Sequence, residues 1–288
     1  MMIRVVTDST SYIPPDLLQR HQIAVAPLKV LFGSETYDEI SGLSNADFYR
    51  RLATTSDFPT TSQPASGEFK QIYQQILQQD PTAQILVLTI SSRLSGTYSA
   101  AVTAAEGLPE AAITIFDSLS AAMGLGLMAL TAAEMAAAGQ PLPAILSRLE
   151  QMRRDTHIVL VVDTLEYLKR GGRIGSAAAF LGTLLNTKPI LAVVEGKLQP
   201  LDRVRTKKRA LERLFVELES KLTNPYQPVQ AGVMHIAAEV EMDSMAALLK
   251  SRFNITRLYT SELGPVIGAH LGPGALGVGI CLEPSSAG

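Results

Sequence analysis

Two α/β lobes are what this 288-residue sequence predicts: a first with a mostly parallel sheet and helices on both faces, and a smaller α/β (α+β) second, with a ligand tunnel between or beside them. Three observations carry the prediction. Short apolar runs alternate with helical periodicities through the first half. After about residue 163, strands follow one another with fewer crossovers. A composition of 47% hydrophobic and 18% charged residues at this length fills more than one core. The lobes are drawn at residues 1–163 and 164–288.

In the first lobe, apolar runs predict strands near 3–7, 85–90, 113–116 and 158–162, and helical patterns lie near 66–79, 96–106, 119–138 and 142–153. Three of these strands end in an acid followed by a hydroxyl residue: Asp8-Ser9, Asp117-Ser118 and Asp163-Thr164. Such pairs read as helix N-caps, and they mark the carboxyl edge of a sheet, where open α/β folds bind ligands. The stretch from Leu119 to Ala138 is mostly alanine and glycine and carries Glu134. It reads as a buried helix and not as a membrane span; its small side chains permit close helix packing or leave room for a ligand. In the second lobe, runs at 189–195 and 197–202 flank Glu195-Gly196-Lys197, a hairpin signal. Strands near 229–235, 255–260 and 276–282 then enclose helices near 205–222 and 239–252.

Composition excludes several functions. A net charge of -2 gives no global attraction to nucleic acid or an anionic membrane. The lone Cys281 excludes an internal disulfide, and with four scattered histidines it leaves no zinc-like cluster, so no metal is expected. No Walker motif occurs and no GxGxxG opens a helix after a strand; no nucleotide cofactor is expected. There is no GxSxG elbow either, so serine hydrolysis would need Ser92 or Ser95 with His270 and an unidentified acid. The opening IRVVTDSTS reads as strand and turn, unlike the basic start and apolar run of an export signal, and a cytoplasmic location is expected.

Five stretches are candidates for chemistry. GPVIGAHLGPGALGVG, residues 264–279, holds six glycines and His270 between two apolar runs, a density that suggests backbone packed against a ligand or a tight turn. ILVLTISSRLSGTYSAA, residues 85–101, reads as strand, serine-rich turn and helix start, with Ser95 as N-cap and Gly96 and Thr97 in the first turn, which suits an anion or a plain cap equally. Thr60-Thr61-Ser62-Gln63-Pro64 is a hydroxyl cluster in a loop. Basic residues gather in LEYLKRGGRIG, with Arg173, and in RVRTKKRALER, with Arg205, the latter opposite an apolar face of Leu211, Leu214, Phe215, Leu218 and Leu222. That basic face reads as solvated surface or as a dock for an acidic protein.

Taken in order, TDSTS, TTSQP, SSRLSGTY, FDS, YLKRGGRIG, TKPIL, VRTKKRA and GPVIGAHLGPGALG resemble the signature of the DegV family nearly end to end. The resemblance implies a two-domain α/β protein that binds a fatty acid and does no chemistry of its own. Ser62 and Ser95 would hold the carboxylate, with Thr61, Ser92 and Gly96 around them and His270 in the same polar network. It further implies presentation of the lipid to a separate ATP-dependent fatty acid kinase that makes acyl phosphate for phospholipid synthesis, with Arg173 and Arg205 facing that partner. The competing readings are a dihydroxyacetone-kinase-like substrate subunit, a serine hydrolase through Ser95 and His270, and a basic-patch regulator of nucleic acid.

Overall fold

The computed structural model describes residues 2–55, 57–181 and 187–283. In chain order the first half runs β1 (Ile3–Asp8), α1 (Pro15–Arg20), β2 (Ala24–Ala26), β3 (Lys29–Phe32), β4 (Glu35–Asp38), α2 (Asn45–Thr54), β5 (Thr60–Ser62), α3 (Ser66–Gln79), β6 (Gln84–Thr89), α4 (Thr97–Glu106), β7 (Ile113–Asp117), α5 (Met123–Ala137) and α6 (Leu142–Asp155). The second half runs β8 (Thr156–Val161), α7 (Glu166–Arg170), β9 (Lys188–Val194), β10 (Lys197–Val204), α8 (Lys207–Glu219), β11 (Pro228–His235), α9 (Glu239–Arg252), β12 (Asn254–Glu262), α10 (Pro265–Leu271) and β13 (Leu276–Leu282).

The first sheet has order β2-β1-β6-β7 and is parallel throughout. Its strands are apolar on both faces because both are covered. Val6, Ile85 and Val87 meet α3 and α4 through Phe69, Tyr73 and Ala101, while their neighbours Val5, Leu86 and Leu88 point the other way, into the core that contains α5. The expected helices on both faces follow from this alternation.

The second sheet has order β10-β9-β8-β13-β11-β12, antiparallel except for the β11–β12 pair. The strand expected at 158–162 as part of the first lobe is β8, and it pairs antiparallel with β9 and β13 in this second sheet. A buried apolar run of this length carries no mark of which sheet it joins. One face of the second sheet presents Val159, Val161, Val233 and Val278 to Leu214 and Phe215 of α8 and to Met245 and Leu249 of α9. The other face presents Ile158, Leu160, Leu191 and Met234 to the same core as α5. Helix α5 thus lies between the two sheets, touching β1 on one side and β11 and β13 on the other.

Close approach explains the small residues of α5. A Cβ on Gly126 would sit 2.6 Å from the Ser11 carbonyl oxygen, and one on Gly124 would overlap Ser120 and Ile158. Packing is therefore what these glycines serve. The hairpin at Glu195-Gly196 forms as expected, with β9 and β10 antiparallel across it.

A third sheet, β4-β3-β5, is antiparallel and small. It was not expected, and the hydroxyl cluster read as a loop is in fact its strand β5, since Thr61 pairs with Val30 and Ser62 with Lys29. Strands of three or four residues are too short to register as alternation.

Candidate functional site

The site begins with two carboxylates at strand ends, Asp8 buried and Asp117 partly exposed. Asp8, last residue of β1, accepts from Thr10 N at 3.0 Å and from Ile90 N at 2.7 Å, so it fixes the chain where it leaves β6. Burial is the largest influence on Asp8 and raises its pKa to about 6 against those hydrogen bonds. Asp117, last residue of β7, accepts from Ser92 N and Leu119 N, each at 3.1 Å. The strand-end acids thus hold the serine-rich turn between them, and Asp117 does this instead of capping a helix. At the third pair, Thr164 accepts from Glu166 N at the start of α7, while Asp163 pairs with Lys188 at 2.8 Å.

The turn itself spans the lobes. Ser91 Oγ donates to the Gly196 carbonyl at 2.8 Å, tying the turn to the β9–β10 hairpin. The N-cap of α4 is Gly96 and not the expected Ser95. Ser95 Oγ instead lies 2.9 Å from Thr97 Oγ1 and 3.4 Å from Thr97 N. With Gly96 carrying no side chain, the Gln63 amide packs 3.2 Å from where its Cβ would be, which brings the end of β5 against the turn.

The glycine-rich stretch at 264–279 is not a loop: it forms the seven-residue helix α10 and most of β13. Its glycines meet protein atoms. A Cβ on Gly268 would overlap the Tyr49 ring, one on Gly264 would sit 2.8 Å from Glu39 Oε1, and those on Gly272 and Gly274 would strike Tyr167 and Asp163. Gly277 alone among the six lines the cavity described below. Glu39 anchors the start of α10: it accepts from Val266 N at 2.9 Å, from Tyr12 Oη at 2.6 Å and from Ser9 Oγ at 2.5 Å. Burial pushes the Glu39 carboxyl up to about 7, against these three hydrogen bonds. Sequence reasoning missed Glu39, which stands in a polar stretch with no motif around it.

Anchored in this way, α10 turns His270 toward β5, where its Nε2 lies 2.8 Å from Thr61 Oγ1. Nδ1 is buried without a partner. Burial first, and the nearby Arg173 charge second, lower the His270 pKa to about 4, so the imidazole is neutral at ordinary pH. A proton on Nε2 leaves Nδ1 as an acceptor lone pair and makes Thr61 Oγ1 an acceptor, freeing the Thr61 hydroxyl hydrogen to donate elsewhere. Arg173 is held beside these groups by its Nε bond to Leu94 O at 3.3 Å and its Nη1 bond to Gly171 O at 2.9 Å.

These polar groups close one end of an internal cavity that lies between the inner face of the second sheet and the first lobe. The volume of the cavity is about 100 Å³. Six of its 24 lining residues have polar side chains: Thr61, Ser62, Gln63, Ser95, Arg173 and His270. The contacts above join them into one cluster. The remainder is apolar and comes from every layer: Ile158 and Leu160 of β8, Leu198 of β10, Met234 of β11, Leu276 of β13, and Ala121 and Ala122 ahead of α5. Leu119 and Ala122 hold left-handed backbone at φ 47° and 49°, so the segment entering α5 is strained where it meets the cavity.

Of the residues the sequence singled out, Thr61, Ser62, Ser95 and His270 come together on the cavity, and Ser92 and Gly96 line an open groove just outside it. Arg173 lines both. Arg205 is exposed between β10 and α8 and lines neither. Ser95 and His270 have separate partners, Thr97 and Thr61, in place of the mutual hydrogen bond of a nucleophile and base. Among the described residues no group of three or more His, Cys, Asp or Glu is placed to hold a metal, and no helix is long and apolar enough to cross a membrane.

Comparison with known proteins matches residues 2–283 to a family model described as "Uncharacterised protein, DegV family". Protein DegV of Bacillus subtilis is 37% identical over 284 residues, covering 98% of this chain and all of the relative, and a DegV domain-containing protein of Listeria innocua is 38% identical over 276 residues, covering 96% and 97%. Among solved structures, a DegV family protein from Thermus thermophilus, described for its fatty acid binding, superimposes with a TM-score of 0.93 at 36% identity, covering 98% of this chain and 100% of that one. DegV of Bacillus subtilis, described as a fatty acid binding protein, superimposes at 0.89 with 36% identity and the same coverage.

Proposed function

This chain belongs to the DegV family, and from that premise we propose that it binds one long-chain fatty acid with its tail in the internal cavity and its carboxylate at the polar end. The observation that carries the reading is the lining of that cavity: mostly apolar, with the side chains of Thr61, Ser62, Ser95, Arg173 and His270 gathered on one part of it and Thr61 hydrogen-bonded to His270. Thr61, Ser62 and Ser95 supply hydroxyl donors, Arg173 supplies a cation, and neutral His270 orients Thr61. Ser92 and Gly96 form the rim outside Ser95. A single polar end suits a ligand with one anionic head, and burying about fourteen methylenes at ~0.8 kcal/mol each yields a gross gain of about 11 kcal/mol before association costs.

The protein does no chemistry alone in this reading and uses no cofactor. It presents the bound lipid, in the cytoplasm, to a separate ATP-dependent kinase that forms acyl phosphate, and Arg173 and Arg205 face that partner. The separate engagement of Ser95 and His270 favours a carrier over a hydrolase. Native mass spectrometry of the purified protein, followed by delipidation and competition with a panel of defined fatty acids, tests the binding step. A retained acyl chain displaced by saturable long-chain acids is expected; failure of every fatty acid to bind the folded, delipidated protein overturns the reading.

A further inference from the structure

The β9–β10 hairpin has open surface on two sides. The groove described above takes in Lys197, Leu198 and Gln199 of β10. A second concavity takes in Val193 and Val194 of β9 together with Leu119 and Ser120 of the first lobe. Val193 and Leu198 are cross-strand partners, and both also line the internal cavity. This one pair therefore stands between the cavity and both open concavities.

The tip beyond the pair is weakly tied down. β8 pairs with β9 only as far as Ile158–Val193, so Val194, Glu195, Gly196 and Lys197 run past that ladder. Val194 is 38% exposed and the Glu195 side chain 78%. Glu195 and Gly196 both hold left-handed backbone, at φ 46° and 76°, as a tight two-residue hairpin turn requires, and a glutamate adopts that conformation at a cost. On the β10 side the register shifts between Pro200 and Asp202, where the strand bends and Pro200 has no N–H to give the ladder. Against the first lobe, Ser91 Oγ donates to the Gly196 carbonyl at 2.8 Å, and Arg93 meets Glu195 at 3.8 Å. A Cβ at position 196 would overlap Ser91 Oγ and sit 3.1 Å from Leu119, so the tip seats because that residue is glycine. One neutral hydrogen bond and one exposed ion pair make a fastening of the kind that opens locally without unfolding the sheet.

We propose that the hairpin tip, residues 193–198, is the gate by which a fatty acid enters and leaves the cavity, swinging about the Pro200–Asp202 bulge and latched by the Ser91–Gly196 hydrogen bond. The gate rests on the fatty-acid reading above. Lifting Val193 and Leu198 joins the cavity to both concavities and gives the apolar chain a lateral way in. The head-group residues Thr61, Ser62 and His270 belong to β5 and α10 and stay in place. A gate that is open only rarely speeds entry and exit alike when its latch is removed, so it changes rates and leaves affinity alone.

The test follows exchange in delipidated full-length protein by stopped flow, with cis-parinaric acid as the fluorescent chain and excess palmitate as competitor. Ser91→Ala, checked by thermal melt, is expected to raise the association and dissociation rates together, at least fivefold, with Kd within twofold of wild type. Gly196→Ala, which props the tip off Ser91, is expected to do the same and serves where Ser91→Ala does not fold. In the converse direction, the double variant Arg93→Cys, Glu195→Cys joined by a short bismaleimide is expected to exchange at least tenfold more slowly than the same protein before cross-linking; Cys281 is buried, and wild type treated with the reagent is the control. Wild-type exchange rates in both latch variants and in the cross-linked protein overturn the gate while leaving the fatty-acid reading intact. Faster dissociation with unchanged association overturns it as well, since damage to the binding site produces that pattern. If neither parinaric acid nor palmitate binds wild type, the reading beneath the gate fails and the gate with it.

Discussion

Replacing Thr61 with Val removes one hydroxyl and keeps the shape of a β-branched side chain on β5, so the perturbation isolates a hydrogen bond. Thr61 Oγ1 is the partner of His270 Nε2 at 2.8 Å, and the Nδ1 of that ring is already buried without one. The variant therefore leaves an imidazole with neither nitrogen satisfied, a cost of about 1 to 3 kcal/mol to the fold. It also removes a donor to the bound carboxylate, and a hydrogen bond to a charged group contributes about 1.5 to 3 kcal/mol. At 1.4 kcal/mol per decade this predicts fatty-acid binding weakened about 10- to 100-fold, with a lowered melting temperature in the absence of ligand. Calorimetric titration of delipidated protein with palmitate and oleate reads the first effect, and differential scanning calorimetry the second. Thr61→Ser, which keeps the hydroxyl, is expected to bind nearly as wild type. A Thr61→Val protein that melts and binds like wild type would falsify both the orientation of Thr61 by His270 and the placement of the head group.

Ser95→Ala and Ser62→Ala are each expected to weaken binding by about 1.5 to 3 kcal/mol without unfolding the chain, measured by the same titrations; unchanged affinity in both moves the carboxylate elsewhere. Gly268→Val would drive a side chain into the Tyr49 ring, whose hydroxyl donates to Leu263 O at 2.6 Å, so α10 must shift; a loss of about 1 to 3 kcal/mol in denaturant unfolding is expected, and wild-type stability would show that the helix position is soft. Glu39 has a folded-state pKa raised from 4.5 to about 7, so its contribution is fully present below pH 4.5 and is lost as pH rises to about 7. Glu39→Gln should therefore flatten the pH dependence of thermal stability across that window, and an unchanged slope counts against a buried carboxyl there. Arg205→Ala should leave lipid affinity intact and reduce acyl-phosphate formation with a reconstituted kinase, less so at high salt, where the charge is screened in the wild type too; impaired lipid binding would place Arg205 in the wrong role.

The elements that were legible in the sequence are those long enough for periodicity to act. The helix at 66–79, the helix at 239–252 and the strand at 276–282 appear with their expected bounds, and Gly196 marks the hairpin because φ at that position is 76°. What stayed hidden was local in size or nonlocal in cause. β5 is three residues long, and nothing in Thr60–Ser62 announces that its partner is β3, some thirty residues earlier. β8 was found as a strand but joined the other sheet, because apolar content reports burial and says nothing of partners. The site was legible in residue type only. Thr61 and His270 are 209 positions apart, and what unites them is the Glu39 carboxylate holding α10, a contact for which the sequence contains no pattern.

In the proposed reading, affinity and placement are served by different parts of this cavity. Most of its lining is apolar, so loss of one head-group donor leaves the larger tail contribution standing, and a head-group variant still binds. What such a variant loses is the position of the carboxylate along the tunnel. That position matters because the Ser95–Arg173 wall is shared with the open groove, and a reacting carboxylate displaced by about 1 Å from its productive geometry can cost about 100-fold in rate. A neutral His270 fits this division: it directs the Thr61 hydroxyl without adding a second cation beside Arg173, whose charge already opposes protonation of the ring. Presentation to the partner is therefore expected to fail at substitutions that equilibrium binding tolerates. Rate per bound lipid, measured at saturating fatty acid across the Ser62, Ser95 and His270 alanine variants, separates the two contributions; a rate that falls only in proportion to occupancy would leave the polar end as an affinity device alone.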